Sequence, residues 1–299
     1  MTLHSAPDPS STGVAIEAKG LEKAFGEVPA VRGLNLNVSK GESLGLLGPN
    51  GAGKTTTLRI LSTLLPADGG SVRVLGLDPA KDGRALRARI GVVPQDIALY
   101  TGLRAEENLR LFGELAGLGG ARLRERVEWG LETAGLEERR RSLVSEFSGG
   151  MKRRLNLVAA LLHEPELVFL DEPTAGVDPQ SRNHLFEQVE AIHRAGTTLV
   201  YTTHAMGEVE RLCDRIVIMD RGRRLAEGTL EGLRDLDAVR AGLGTGLEVE
   251  PGVDLEQAAA VLREHGMGAE VRGEAADLES IFLALTGRAL RDENVEDAS

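Results

Sequence analysis

The stretch "GPNGAGKTT", residues 48–56, follows a short apolar run, "ESLGLL" (42–47), and leads into "KTTTLRILSTLL" (54–65), whose leucines and Ile60 recur at helical spacing. A strand, a glycine-rich loop and a helix in this order match the phosphate-binding pattern G-x-x-x-x-G-K-[ST], with Gly48 and Gly53 as its fixed glycines and Lys54 and Thr55 closing it. Glycines let the backbone fold into a concave nest of N–H donors, and the helix beginning near Lys54 adds the positive end of its dipole. In such a loop Lys54 neutralises the β- and γ-phosphates of a nucleotide, and the Thr55 hydroxyl is a ligand for Mg2+.

Composition sets the outer limits. The chain has 299 residues, 41% of them hydrophobic, enough for one large domain or a domain with a satellite. Its 35 Lys and Arg against 46 Asp and Glu give a formal net charge of −11, which disfavours a general nucleic-acid-binding surface. A single cysteine, Cys213, excludes an intramolecular disulfide framework and a multi-cysteine zinc site. The polar start "MTLHSAPDPSSTG" (1–13) reads as a disordered tail without a signal-peptide core, and no apolar run approaches the ~18 residues of a membrane span. The expected compartment is the cytoplasm.

Along the chain, the runs from "VAIEAKGLEKAFG" to "LNLNVSKGESLGLLG" predict a small antiparallel sheet leading into the phosphate-loop strand. Residues 96–163 carry apolar residues at i, i+3, i+4 and predict a mostly helical region. The runs "ELVFLDE" and "TTLVYTTH" flank helical "PQSRNHLFEQVEAIHRAG", a parallel βαβ arrangement, and "RIVIMDRGRRLAEG" reads as a hairpin around Arg221 and Gly222. From residue 236 to 299 a weak strand-helix-strand-helix pattern suggests a small α+β module with a frayed acidic end, "RDENVEDAS".

Further motifs narrow the reading. "LVFLDE" ends in Asp171 and Glu172 and resembles a Walker B element, placing Asp171 near Mg2+ and Glu172 where it can polarise an attacking water. An acidic pair after a strand is also what a solvated loop shows. Upstream, "FSGGMKRRL" (147–155) is a second glycine-rich helix start, with Ser148, Gly149 and Gly150 ahead of an amphipathic helix. With this second motif the chain resembles the nucleotide-binding domain of the ATP-binding-cassette family, in which such a signature caps an ATP held by the opposite subunit.

That resemblance spans residues 14–235 and supplies the remaining roles. It implies a P-loop NTPase fold of the α/β class, a RecA-like core with an antiparallel β subdomain and an inserted helical subdomain. Asn50, Gly51, Gly53, Lys54, Thr55 and Thr56 would hold the ATP phosphates. Gln95, closing "GVVPQ", matches the Q-loop glutamine that senses Mg2+ and the γ-phosphate, and Asp178 in "GVDP" matches a D-loop that crosses the dimer interface. His204, closing "TTH", matches the switch histidine on the γ-phosphate. Phe25 in "KAFG" stands where the family stacks an aromatic ring on adenine. Phe147 departs from the usual Leu of the signature and Met151 from the common Gln, without removing the serine or glycine donors.

The resemblance implies ATP and Mg2+ as cofactors, a second copy of the chain or a related cassette as partner, and a separate polytopic membrane permease that holds the chain at the inner face of the membrane. The runs around "GVVPQDIALYTGLRAEENLRLFGELAG", "SGGMKRRL" and "LESIFLALTGRAL" look most like ATP-binding subunits of bacterial ABC-2 type exporters, including the daunorubicin-resistance type. In that family the face of "ALYTGLRAEENL" receives the permease, although core packing of Leu99 and Leu103 accounts for the same pattern. The alternative is a soluble cassette ATPase acting on nucleic acid, ribosomes or cofactor assembly, which the acidic charge and the lack of a second cassette in the chain disfavour. A P-loop kinase or GTPase would lack "SGGM", and no guanine-reading N-K-x-D run is present. The histidines at 163, 184, 193 and 265 fall on helical stretches as surface or satisfied core groups, Cys213 reads as a small buried hydrophobe, and Arg139, Arg140 and Arg141 as a solvated helix end.

Overall fold

The computed structural model describes residues 13–234 together with Ile281, Phe282 and Thr286. The chain divides into two compact units, Met1–Glu227 and Gly228–Ser299. In the first, β1 (Val14–Phe25) and β2 (Val28–Ser39) form a long antiparallel hairpin, which β3 (Ser43–Leu47) follows. Next come α1 (Lys54–Leu61), β4 (Gly69–Val74), α2 (Gly83–Arg87) and β5 (Ile90–Val93), and then three longer helices, α3 (Ala105–Leu115), α4 (Gly120–Ala134) and α5 (Gly149–Ala159). There follow β6 (Leu167–Asp171), α6 (Pro179–Arg194), β7 (Thr198–Thr203), α7 (Met206–Leu212), β8 (Arg215–Asp220) and β9 (Arg223–Gly228), whose last residue begins the second unit. Of the second unit, α8 (Leu230–Arg234) is described, and the module expected over 236–299 lies outside the described residues apart from Ile281, Phe282 and Thr286.

The strands sort into a three-stranded antiparallel sheet, β2-β1-β4, and a six-stranded sheet, β5-β6-β7-β3-β8-β9. Strands β5, β6, β7, β3 and β8 run parallel. Every residue of β3, β6 and β7 is buried, as expected of parallel strands covered on both faces, which read as continuous apolar runs. The βαβ unit β6-α6-β7 and the turn at Arg221 and Gly222 stand where the sequence predicts them, both turn residues having positive φ (46° and 77°). Two strands were not legible. β4 opens on two glycines, which leaves Ser71 to Val74 alone to alternate, while β5 has four residues and is followed by Pro94. Helix α1 also stops at Leu61, short of the predicted apolar run, because the chain turns at Thr63 with φ of 70°.

Helices α3, α4 and α5 pack around Leu109, Leu131, Phe147, Leu155, Val158 and Leu162, a core separate from those against the sheets. Phe147, the departure from the family signature, is 5% exposed in that core, and Met151 packs beside it, so both differences are absorbed by apolar contacts. Asn108 is buried and clips the preceding loop, accepting the Tyr100 N–H at 2.9 Å and donating to the Tyr100 and Arg104 carbonyls. The arginine run differs from expectation, since Arg140 forms ion pairs with Glu106 and Glu128 and so ties the turn after α4 to α3 and α4. His163 lies in a turn after α5 rather than on a helix, its Nε2 2.9 Å from the Ile90 carbonyl oxygen, and His265 lies outside the described residues. Cys213 packs against Gly45, and burial pushes its thiol up to about 12.

His193, in the last turn of α6, locks three segments together. Its Nε2 is 3.0 Å from the Gly41 carbonyl oxygen and 3.2 Å from Asp214 Oδ2, which also accepts the Ser43 N–H at 2.9 Å. The hydrogen bond to Asp214 raises the imidazole pKa against the opposing effect of burial. Burial pushes the Asp214 carboxyl up, but the bonds from His193 and Ser43 outweigh it and the net direction is down. A raised histidine pKa contributes stability that is complete below its unfolded value, ~6.5, and is lost as pH rises through the folded value; the lowered Asp214 pKa contributes stability above ~3.9 that is lost toward acid. The melting-temperature gap between the wild type and His193→Gln is therefore expected to be wider at about pH 6 than at about pH 9, by on the order of 2 °C. An equal gap at both values in calorimetry would refute the charged clip.

Candidate active site

The register of the parallel strands gathers the expected residues before any side chain is considered. Leu47 pairs with Thr203, Thr202 with Asp171 and Leu170 with Val93, so the four chain segments that follow β3, β5, β6 and β7 leave the sheet at one carboxyl edge. Those segments carry Gly48 to begin the phosphate loop, Gln95, Glu172 and His204. Ligands of open α/β sheets bind outside this edge.

Close backbone contact accounts for two of the loop's glycines. A Cβ on Gly48 would sit 2.3 Å from the Met219 carbonyl oxygen, and one on Gly53 would sit 2.4 Å from that of Ala30, with Gly53 also at φ of 97°. The same contact brings β2 against the loop, and Arg32 N–H to Gly222 O (2.8 Å) and Gly222 N–H to Ala52 O (3.0 Å) extend it. Phe25 ends the hairpin strand paired to β2, opposite Val28, and is 53% exposed, a ring face open to contact. Asn50 and Gly51 are exposed and Thr56 is half-buried at the start of α1.

Glu172 stands at the centre of the group. Its Oε1 is 3.3 Å from Lys54 Nζ, while Lys54 also donates to the Gly48 and Pro49 carbonyls at 2.7 and 3.1 Å. Gln95 Nε2 donates to Glu172 Oε2 at 3.4 Å. His204 Nδ1 lies 3.3 Å from that same oxygen, within ion-pair range but without the alignment of a hydrogen bond. Lys54 and Glu172 are 4% and 6% exposed, so their pair is desolvated. Burying such a pair adds little net stability, and removing one partner costs about 3–5 kcal/mol, so its presence is better explained by chemistry than by folding.

Asp171 takes the adjacent position. Its Oδ1 accepts the Thr55 hydroxyl at 2.9 Å and the Thr202 hydroxyl at 2.7 Å, bringing together two of the three residues expected at a Mg2+ site, Thr55 and Asp171. Among the described residues no three His, Cys, Asp or Glu side chains cluster to hold a metal by themselves. Mg2+ is in general held by one or two protein oxygens plus phosphate and water rather than by a protein cage.

The backbone at Glu172 is strained, with φ of 44° in the left-handed region, a conformation that costs a non-glycine residue about 1–3 kcal/mol. Thr202 holds it there, its carbonyl oxygen and hydroxyl each 3.1 Å from the Glu172 nitrogen. Thr202 was not among the expected residues, although a threonine pair in an otherwise apolar buried strand is a visible signal. Arg153 was also missed. From α5 it donates to the Gln95 carbonyl and, at 3.1 Å, to the Ala175 carbonyl, and no sequence pattern separates it from Lys152 and Arg154 beside it.

The signature residues gather elsewhere. Ser148 caps α5 by accepting the Met151 N–H at 3.3 Å, and Asp178 caps α6 by accepting the Ser181 N–H at 3.0 Å. A Cβ on Gly150 would lie 2.1 Å from Ser181 Oγ and 3.6 Å from Asp178 Oδ2, so Asp178 and the signature meet within the chain. The Asp178 carboxyl is held below its usual range by the Ser181 backbone N–H and hydroxyl.

Comparison with known proteins agrees with this geometry. The ABC transporter family model matches residues 31–175. The linearmycin resistance ATP-binding protein LnrL of Bacillus subtilis is 40% identical over 93% of this chain and 100% of its own length. The daunorubicin resistance ATP-binding protein DrrA2 of Streptomyces coeruleorubidus is 39% identical over 95% of this chain and 98% of its own. An ATP-binding cassette solved as a dimer in a post-hydrolysis state, bound to ADP and Pi, matches with a TM-score of 0.66 at 27% identity, over 72% of this chain and 98% of that one. With full-length relatives at this identity, the chain belongs to the ABC transporter family and carries its ATP-binding domain.

Proposed function

We propose that this chain is the ATP-hydrolysing subunit of an exporter that moves a drug, an antibiotic or another amphipathic compound through a separate polytopic membrane permease. The observation that carries the ATPase reading is the convergence of Lys54, Gln95 and His204 on one carboxyl group, Glu172, beside the Thr55–Asp171 pair. The export reading rests on relatives of nearly equal length that are named for linearmycin and daunorubicin resistance. Among the described residues no helix is long and apolar enough to cross a membrane, which is consistent with a subunit that borrows its pathway from a partner at the cytoplasmic face. The acidic balance argues against a nucleic-acid partner.

In this mechanism Asn50, Gly51, Gly53 and Thr56 cradle the phosphates with backbone N–H groups and side chains, and Lys54 releases Glu172 to neutralise the β- and γ-phosphates. Thr55, Asp171 and Gln95 would hold Mg2+, which supplies charge neutralisation on the phosphate oxygens. Glu172, freed from Lys54, orients the attacking water, and His204 donates toward the γ-phosphate. Phe25 stacks on adenine. Two copies, or this chain and a related cassette, close head to tail so that Ser148, Gly149 and Gly150 of one cover the nucleotide of the other, with Asp178 at the seam. The relative solved as a dimer with ADP and Pi supports dimerisation. We place the cassette over residues 14–235, with its helical part at about 96–163, and an accessory module after it.

Lys54→Ala is expected to abolish hydrolysis, and normal turnover in that variant would overturn the phosphate-loop assignment. Glu172→Gln is expected to slow hydrolysis about 100-fold or more while an ATP-bound dimer accumulates in light scattering. Only monomer at saturating ATP and Mg2+ would count against the head-to-tail dimer. Affinity purification of Glu172→Gln protein from detergent-solubilised native membranes, with ATP, tests the export reading. A stoichiometric polytopic membrane protein is expected; ribosomal or nucleic-acid partners alone would replace export with the soluble alternative.

A further inference from the structure

Behind the His204 loop lies a buried acid that the mechanism above leaves unused. Glu208, on α7, is 5% exposed, and its two oxygens accept three hydroxyls. Thr174 donates to Oε1 at 2.6 Å, and Tyr201 and Thr203 donate to Oε2 at 3.0 and 2.8 Å. All three donors are buried. Burial and the neighbouring Glu208 charge hold the Tyr201 phenol well above its usual pKa, so it keeps the proton it donates.

The donors lie where the proposed chemistry needs rigidity. Thr203 precedes His204, and its Oγ also accepts the Ala205 N–H at 2.9 Å. The residues on both sides of His204 are therefore fixed to one hydroxyl, and Glu208 orients that hydroxyl. Thr174 lies two residues beyond Glu172, inside the turn closed by the Ala175 N–H on the Glu172 carbonyl oxygen at 3.1 Å. That turn starts from the strained Glu172 backbone, so an anchor on Thr174 resists its relaxation. If this space needed only filling, an apolar residue would serve without the cost of burying a carboxyl group.

We infer that Glu208 is a positioning residue for hydrolysis, a single buried carboxyl group that holds the His204 loop and the turn after Glu172 in one mutual arrangement. The inference rests on the reading of Glu172 and His204 as the hydrolytic pair. It is tested on the full chain with Glu208→Gln, which keeps the shape but turns one acceptor oxygen into a donor, and with Thr174→Val and Thr203→Val, which each delete one bond. The kcat for ATP hydrolysis is expected to fall about 10-fold in Glu208→Gln and several-fold in each valine variant, with KM for ATP within about 2-fold, because the phosphate loop is untouched. Amide hydrogen exchange is expected to show Ala205 losing protection together with Glu172, Thr174 and Ala175 in Glu208→Gln, while β3 keeps its own. A lowered melting temperature with unchanged kcat would overturn the inference, and so would loss of protection in only one of the two loops. Should the wild type itself hydrolyse no ATP, the hydrolysis reading fails separately, and the exchange pattern still decides whether one side chain anchors both loops.

Discussion

The pairing of β6, β7 and β3 is the constraint on which the rest of the molecule depends. In a parallel sheet every strand ends on the same side, and the register that sets Leu47 against Thr203 and Thr202 against Asp171 fixes how far each chain end projects. A slip of one residue would turn Asp171 and Thr202 to opposite faces, separating the carboxyl and hydroxyl groups that now meet at 2.7 Å. Complete burial of the three strands prevents such a slip, because it would drive apolar side chains out of the layers that cover them. Packing energy thus becomes positional accuracy at the edge where we propose that phosphate chemistry takes place.

At that edge two electrostatic demands conflict. In the proposed mechanism a carboxyl group that activates water must stay near phosphates that repel it, and a lysine that binds phosphates must tolerate burial. The contact of Lys54 with Glu172 at 3.3 Å meets both demands, since each charge offsets the desolvation of the other. The strained φ at Glu172 is the structural cost of aiming its side chain into the same space, and the Glu172 N–H, donating to the Thr202 carbonyl oxygen and hydroxyl, keeps the strain in place.

Much of this was legible in the residues. The phosphate loop, the acid pair and the histidine are marked by spacing, and the long α3, α4 and α6 by their periodicity, because local chemistry dictates both. What escaped was whatever depends on distant packing. β4 joins the hairpin although its two leading glycines leave a mere four residues to alternate, so its strand character rests chiefly on pairing with β1. Arg140 reads as one of three solvated arginines until α3 and α4 bring Glu106 and Glu128 to it. Asp178 matches a residue expected at a subunit seam, and in the structure its carboxyl group also has a local task, capping α6 ahead of Pro179.

Arg153 is the case in which residue type matters more than position. A guanidinium is planar with several donors in a fixed fork, so one side chain can bond the Gln95 and Ala175 carbonyls at once; a lysine ammonium on a flexible stem would order neither pair as well. Because Arg153 belongs to α5, the helix that Ser148 caps, the signature, the Gln95 segment and the turn after Glu172 are joined through a single side chain. Gly150 abutting Ser181 adds a second contact between the starts of α5 and α6, and neither helix can shift without disturbing the other. A displacement of the helical core that carries α5 must then either stretch bonds at the carboxyl edge of the sheet or move that edge with it. Close packing in the core around Phe147 and Leu155 makes the second course the less costly, since a packed core moves as a body more readily than it deforms.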